Sequence, residues 1–487
     1  MITTQDKNAI LTAKHIEVEN WKKNDVFDEV QYNNESLITT RWVITTKEKD
    51  GAIITKARLV ARGFEDEASD KGKIDSPTCS RESLSLILSL LAMKKWQCQA
   101  IDIKTAFLQG NPLSRDVYLK PPKEFQTDGC VWKLKKAVYG LNEASRAWYD
   151  RVIKEFAKLG LTKCKYDEAL FYKKDKEQLH GAIAIHVDDF IYGGCTEFLQ
   201  IIEKMSTVFE IGTQTSTPMK FIGMNIEQNE DHTINFDQKD YLQDLHKEEN
   251  KLNGDKFRNL TENEQREFRG MVGKLNWIAS RTDPMISFDV CQLSTKLSQA
   301  TVADYRHASK VIQKAAVGNT LHFSALEPPL FLLAYSDASY ANLPDGGSQG
   351  GYIVFLADKQ ERASPITWSS RKLRRICRST ITAETMATLD TIDVCAWLVH
   401  MFREVFDVEI LQTVIRTDNK SSYQAINSTT AVEEKRLRVD IAAIRECIKN
   451  KEVSIEWVSK ENQLADVLTK QGADSTKLAQ VLRTCQI

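Results

Sequence analysis

Residues 181–194, GAIAIHVDDFIYGG, constrain this chain more than any other stretch. Two short apolar runs, 182–185 and 190–192, flank the adjacent carboxylates Asp188 and Asp189. Apolar runs of this length, bounded by glycines, predict two strands of a β-hairpin with the acids at its tip. Like charges at side-chain distance repel, and each raises the pKa of the other. A divalent cation relieves that repulsion, and paired carboxylates are hard-oxygen ligands for Mg²⁺. An isolated Asp-Asp pair is ordinarily a solvated turn, so its meaning depends on the rest of the chain.

A chain of 487 residues is long enough for about two to four domains. With 42% hydrophobic and 27% charged residues its composition is that of a soluble globular protein. The formal net charge of −1 leaves no global basic excess, so a nucleic-acid partner has to be held by local patches. No apolar run approaches the roughly 18 residues of a membrane span, and the polar N-terminus lacks the apolar core of a signal peptide. Ten cysteines are scattered singly with no CxxC. That pattern argues against a zinc site or a disulfide framework and for a reducing compartment.

Residues 1–35 are polar and helix-like, with no evident chemistry. Residues 40–63 have a hairpin pattern around KEKDG. The second strand carries Lys56, Arg58 and Arg62, either a solvated basic face or a flap that grips phosphates. Residues 80–94 predict a core helix capped by Ser80. In QAIDIKTAFLQG, Asp102 lies between Ile101 and Ile103, late on a buried strand. A lone buried acid is expensive, and with Asp188 and Asp189 it would make a three-carboxylate site. Residues 131–156 predict a strand, a turn at Tyr139-Gly140 and an amphipathic helix surrounded by Lys133, Lys135, Lys136 and Arg146. A helix follows at 196–209. Residues 220–227 predict one short strand, with Gly223 marking a close backbone approach. Residues 236–325 are helix-rich (240–252, 262–278, 303–317), and Pro328-Pro329 mark a boundary.

Beyond it the pattern restarts as an α/β unit. Strands are predicted at 330–339, 351–356, 365–371, 411–419 and 452–458, and helices at 382–406, 437–449 and 462–470. Asp337 and Asp418 fall at strand ends, Glu384 in the first turn of the long helix, and Asp466 in the short helix. Each trio or quartet of acids suits a pair of metal ions about 3.5–4 Å apart, which need bridging carboxylates. The fold class is therefore α+β/α/β, multidomain.

RWVITTKEKDGAIITKARLVARGF, AIDIKTAFLQG, VWKLKKAVYGLNEASRAWY, HVDD, KFIGMNI, YSDASYA, ITWSSRK, TAETMA, TDNKSS and ENQLADVLTK together resemble the reverse transcriptase and RNase H portion of a copia-type LTR retrotransposon Pol polyprotein. The resemblance runs from about residue 20 to 470 and implies a right-handed polymerase with fingers, palm and thumb. It implies an RNase H-like mixed five-stranded sheet with helices after that. Expected boundaries are an N-terminal polar segment at 1–20, fingers and palm at 21–235, a helical thumb or connection at 236–328 and RNase H at 329–487. The resemblance makes Asp102, Asp188 and Asp189 the polymerase metal ligands, and Asp337, Glu384, Asp418 and Asp466 the RNase H ligands. ENQLAD favours Asp466 over Asp440 as the fourth acid. Lys56, Arg58, Phe107, Tyr139 and Gly140 match nucleotide-binding positions, Phe107 as the steric gate against a ribose 2′-OH. His186, Phe221, Ile222 and Gly223 match primer-binding positions. His186 stands where the family commonly has Tyr, and Ser145 where Pro is usual. The implied cofactor is Mg²⁺, two per active site, with Mn²⁺ as a substitute.

Implied partners are an RNA template, a DNA primer or cDNA, an RNA–DNA hybrid and dNTPs. No membrane is implied. Integrase and protease, absent from this sequence, are expected as other Pol-derived domains. The expected location is the cytoplasm, in a virus-like particle, with the cDNA complex entering the nucleus. The alternative is a retrotransposon-derived nucleic-acid-binding protein without catalysis.

Overall fold

The computed structural model describes residues 4–49, 52–67, 74–176, 178–246, 252–428 and 432–487. Its centre is a six-stranded antiparallel sheet. The strand order is Ile211–Ser216, Gln99–Ile103, Asp189–Gly194, Gln178–His186, Leu170–Asp175, Thr162–Lys163. The acidic hairpin is thus the middle of this sheet. The glycines do not bound its strands: Gly181 pairs with Gly194 inside the ladder. Successive strand residues face opposite sides. A Cβ on Gly193 would lie 2.3 Å from Leu91 of the helix Arg81–Lys94, and one on Gly194 would lie 2.5 Å from Phe198 of the helix Thr196–Met205. The glycines therefore let one helix close down on each face. Ser80 caps the first of these helices by accepting from the Ser83 N–H, as expected.

A second layer is a four-stranded sheet ordered Phe27–Gln31, Cys130–Leu134, Tyr118–Leu119, Leu37–Ile38, with the hairpin Thr40–Lys49/Ala52–Ala61 beside it. The hairpin's turn residues 50–51 lie outside the described residues. The helix Thr4–Lys23 crosses the boundary expected at residue 20 and packs on the basic strand. Val18 and Trp21 are buried there, and Trp21 meets Phe27 and Trp132. So the polar segment is an integral wall of this layer.

The expected single strand at 220–227 is instead a hairpin, Met219–Phe221 with Met224–Gln228. Ile222 and Gly223 form its turn with φ of +50° and +75°, the twist that tight hairpins favour. A Cβ on Gly223 would meet nothing within 4 Å, so backbone conformation, not close approach, accounts for the glycine. The hairpin continues through Ile234–Asp237 to Thr320–Phe323, two strands inside the stretch expected to be helix-rich. Between them lie Lys239–His246, Glu262–Arg281, Ser287–Ser294 and Val302–Ala315. The first of these was expected to reach 252, and residues 247–251 lie outside the described residues. Thr261 with Glu264 and Thr301 with Asp304 form reciprocal capping boxes that fix two of the starts.

The C-terminal sheet has the order Ala363–Lys372, Gln349–Ala357, Phe331–Ser339, Thr413–Thr417, Val453–Trp457. The first three strands are antiparallel and the last two join in parallel. That is an RNase H-like mixed sheet behind a right-handed polymerase fold. The helix Thr380–Val405 begins early enough to carry Glu384 past its first turn. The polar helix Lys420–Asn427 was not foreseen. The short helix expected at 462–470 is two 3₁₀ turns, Lys460–Asn462 and Asp466–Leu468. Gln463 interrupts it by donating to the Ser336 carbonyl and accepting from the Ala465 N–H.

Arg81 is one of several side chains that join the central sheet's helices to the C-terminal unit. Arg81 donates to the Trp368 and Ser280 carbonyls and to Thr367, and lies over the Trp368 ring. The Trp368 indole donates in turn to Ala279 O at 2.7 Å. Among the described residues, no helix is long and apolar enough to cross a membrane.

Candidate active sites

The first site is assembled by strand register. Asp189 is the cross-strand partner of Asp102, so both carboxylates leave the same face of the sheet. Asp188 follows Val187 in the hairpin turn. Val187 has φ +61°, an unfavourable conformation for a β-branched residue. Three bonds hold this turn. The Trp148 indole donates to Val187 O at 2.7 Å, Ile103 N–H to Asp188 O at 2.8 Å, and Cys79 N–H to Ile185 O at 2.9 Å. Opposite Asp102 the edge strand carries a bulge at Gly212, whose absent side chain leaves room for the Asp102 carboxylate.

Beside these acids lies an aromatic pocket. Phe107 sits in the 3₁₀ turn Ala106–Gln109, with its ring 5.0 Å from that of Tyr139. The Arg58 guanidinium lies 5.6 Å over the other partner of that pair, the Tyr139 ring. Burial pushes the Tyr139 phenol up to about 12, with Arg58 opposing and the nearby Asp188 and Asp102 adding to the rise. Gly140 has φ +94°, and a Cβ on it would sit 2.0 Å from Ala61 O. The Tyr139-Gly140 turn is thereby pressed against the basic strand, where Ala61 N–H donates to Tyr139 O at 2.8 Å. Lys56 and Arg58 are exposed on that strand. Behind them is buried Glu17, which accepts from Leu59 N–H and the Trp21 indole. Burial raises its pKa against those bonds and the two cations. The polar sequence of this helix carries no evident chemistry. Glu17 is the acid that backs the basic strand, and its only sequence signal is its spacing of one helical turn from Trp21.

His186 is half-buried at the strand end facing Asp189, its Nδ1 without a hydrogen-bond partner. Burial lowers its pKa and neighbouring Arg281 lowers it further, both in the direction of the neutral ring. Phe221 is buried, and Ile222 and Gly223 form the turn beside it.

The second site is tighter. One carboxylate oxygen each from Asp337, Asp418 and Asp466 lies within 4.8 Å of the others. Asp102, Asp188 and Asp189 do not form such a set among the described residues; their pairing is one of register. Asp337 is fully buried, and burial pushes its carboxyl up to about 7 against the pull of Lys470, with Asp466 adding to the rise. Glu384 is buried with Oε2 unpartnered, and burial together with Asp337 and Asp418 raises its pKa well above the carboxylate range. Lys470, unremarked in the sequence, reaches Asp466 at 2.6 Å and Asp337 at 3.3 Å. Burial alone would lower its pKa, but the Asp337 and Asp466 carboxylates outweigh it and raise it. Thr469 donates to Asp337 as well. Asp440 lies apart, ion-paired with Arg375. Crowded, desolvated hard-oxygen donors with one orphaned oxygen fit divalent cations. At the end of the strand Ala363–Lys372, Arg371 and Lys372 pair with Asp390 and Asp345.

Residues 24–257 match a family model described as reverse transcriptase (RNA-dependent DNA polymerase). Over 466 residues the chain is 29% identical to the retrovirus-related Pol polyprotein from transposon RE1 of Arabidopsis thaliana, covering 89% of this chain and 31% of that protein. Over 504 residues it is 25% identical to the corresponding polyprotein from transposon TNT 1-94 of Nicotiana tabacum, covering 96% and 37%. The chain thus spans about a third of the length of these relatives. Among solved structures it is similar to a foamy viral protease-reverse transcriptase in complex with double-stranded DNA, with TM-score 0.57, 11% identity and coverage of 94% of this chain and 70% of that one. The same viral protein in complex with an RNA/DNA hybrid gives TM-score 0.51 at 11% identity, covering 94% and 54%.

Proposed function

We propose that the chain is the reverse transcriptase and RNase H portion of a copia-type retrotransposon Pol polyprotein, pairing RNA- and DNA-templated DNA synthesis with RNase H cleavage of the hybrid it makes. The observation that carries the first activity is the Asp102–Asp189 cross-strand pair with Asp188 in the adjoining turn, beside the Phe107–Tyr139–Arg58 pocket. Lys56 and Arg58 would hold the triphosphate of an incoming dNTP, and Phe107 would fill the volume of a ribose 2′-OH. The hairpin turn at Ile222-Gly223 and the half-buried ring of His186 would position the primer end. The second activity is supported by Asp337, Glu384, Asp418 and Asp466, gathered around an RNase H-like sheet.

Asp102, Asp188 and Asp189 would hold one pair of Mg²⁺ ions and the second quartet another, with Mn²⁺ as a substitute. When bound, such ions lower the pKa of the attacking hydroxyl or water and neutralise charge on the leaving group. The chain's own contribution is to fix the carboxylates on strands, turns and one helix before substrate arrives. The two foamy viral neighbours are complexes with double-stranded DNA and with an RNA/DNA hybrid, which supports primed template and hybrid as partners here. Retention of all seven acids favours an enzyme over a binding protein without catalysis.

Primer extension on an RNA template by the purified chain with Mg²⁺ tests the reading. Asp188→Asn should abolish extension and spare hybrid cleavage; Glu384→Gln should do the reverse. Extension by Asp188→Asn, or undiminished cleavage by Glu384→Gln, would refute the corresponding site.

A further inference from the structure

At the end of the acidic hairpin away from Asp188 and Asp189 lies a second set of metal-ligating side chains that neither proposed reaction uses. His180 sits at a β-bulge, where the register against the neighbouring strand slips between Leu179 and Gly181. Cys195 closes the ladder opposite it, its N–H donating to His180 O at 2.7 Å. Cys195 is also the N-cap of the helix Thr196–Met205, and Glu197 is in that helix's first turn. The His180 Nδ1 is 3.5 Å from the Cys195 Sγ. One ligand atom each from His180, Cys195 and Glu197 lies within 4.8 Å of the other two.

That geometry has a specific chemical meaning. Tetrahedral zinc, with Zn–S of about 2.3 Å and Zn–N of about 2.0–2.1 Å, holds its sulfur and nitrogen about 3.5 Å apart. The His180–Cys195 edge has this length before any ion is added. On the other side of the ring, Nε2 faces an Asp175 carboxylate oxygen at 3.3 Å. A carboxylate on the far nitrogen is the arrangement that fixes the tautomer and orientation of a metal-ligating histidine. A nitrogen, thiolate and carboxylate set selects zinc over Mg²⁺, which requires oxygen ligands.

We propose that His180, Cys195 and Glu197 form a zinc site, oriented by Asp175, that staples the base of the acidic hairpin to the helix Thr196–Met205. The lack of any CxxC argued against zinc, but the hairpin itself brings residues 180 and 195 together. The role is structural. The same helix lays Phe198 on Gly181 and Gly194, so the ion would lock that packing. Cys195 is six positions along the chain from Asp189, about 20 Å at 3.3 Å per residue, so the zinc is independent of the catalytic ions.

The test uses the full chain, stripped with chelator, reloaded with Zn²⁺ and desalted. One equivalent of zinc should be retained, and Co²⁺ should give a thiolate-to-metal charge-transfer band. Both should be lost in Cys195→Ser and His180→Gln and kept in Asp188→Asn. Asp175→Asn should weaken zinc binding about 10–100-fold. Zinc should raise the melting temperature of the parent and leave that of Cys195→Ser unmoved. Failure of the parent to retain zinc, or a cobalt–thiolate band that survives Cys195→Ser, would overturn the site. If Cys195→Ser and His180→Gln fail to fold, exposed Glu197→Gln decides: weakened zinc binding supports the site and unchanged binding overturns it.

Discussion

Gly212 stands directly against Asp102: a Cβ built on Gly212 would lie 2.5 Å from the Asp102 Oδ2. The atom it meets is the end of a side chain, so the fold can accommodate alanine by swinging the carboxylate aside. Stability should change little while the carboxylate moves. A displacement of about 1 Å in a reacting geometry costs on the order of 100-fold in rate. Gly212→Ala is therefore expected to lower kcat for primer extension by about that factor, with hybrid cleavage and melting temperature near the parent's. Full extension activity in this variant would mean that the bulge does not position Asp102.

Phe107 is held by the Tyr139 ring at 5.0 Å on one side and by its own 3₁₀ turn on the other, so it cannot yield to a 2′-OH. Phe107→Ala should admit ribonucleotides and reduce the preference for dNTPs by a factor on the order of 100, since buried steric terms of about 1–3 kcal/mol set such ratios. Competition between dNTP and rNTP in single-nucleotide extension measures it; unchanged discrimination would exclude Phe107 as the gate.

What the sequence disclosed and what it hid follow from the range of the forces involved. Asp102 was legible because an acid between Ile101 and Ile103 breaks a buried strand. The acidic hairpin was legible from its apolar runs. The roles of its glycines were not, because Leu91 and Phe198, which press on Gly193 and Gly194, arrive from other elements. Residues 462–470 have a helical pattern, yet Gln463 spends its amide on Ser336 O, a partner 127 positions away. Residues 1–35 have a polar, helix-like pattern, yet Val18 and Trp21 make the first helix part of a core. Three aromatic rings from separate elements meet there. Glu17 and Lys470 escaped notice because nothing local distinguishes a backing acid or an internal cation from a solvated one.

Lys470 bridges Asp466 and Asp337 where divalent ions would bind, so in metal-free protein it acts as the internal counter-cation. Lys470→Met should melt below the parent in chelator. The side chain is one-third exposed, so the loss should be on the order of 1 kcal/mol, equivalent to about 2–4 °C for a unit of 150–250 residues. Addition of Mn²⁺ or Mg²⁺ should close that gap, because the ions replace the missing charge. A gap that persists with saturating metal would show that Lys470 acts through packing.

The raised pKa of Asp337 makes metal-free stability depend on pH. Its carboxyl titrates near 7 in the fold and near 3.8 without the burial that lifts it. The folded state therefore binds the proton more tightly than the unfolded state. The corresponding stability is fully present below about pH 4 and is lost as pH rises through about 7. Glu384, raised in the same direction by burial and by Asp337 and Asp418, adds to the slope. In chelator, the melting temperature should fall between pH 5 and 8. Asp337→Asn should flatten that fall and melt above the parent at pH 8, since it removes a buried negative charge beside Glu384. Divalent metal should act in the opposite sense to rising pH, stabilising most where the carboxylates are ionised. A melting temperature in chelator that is flat over this range, or that rises with pH and continues to rise in Asp337→Asn, would mean that the quartet does not carry the shared protonation its burial imposes.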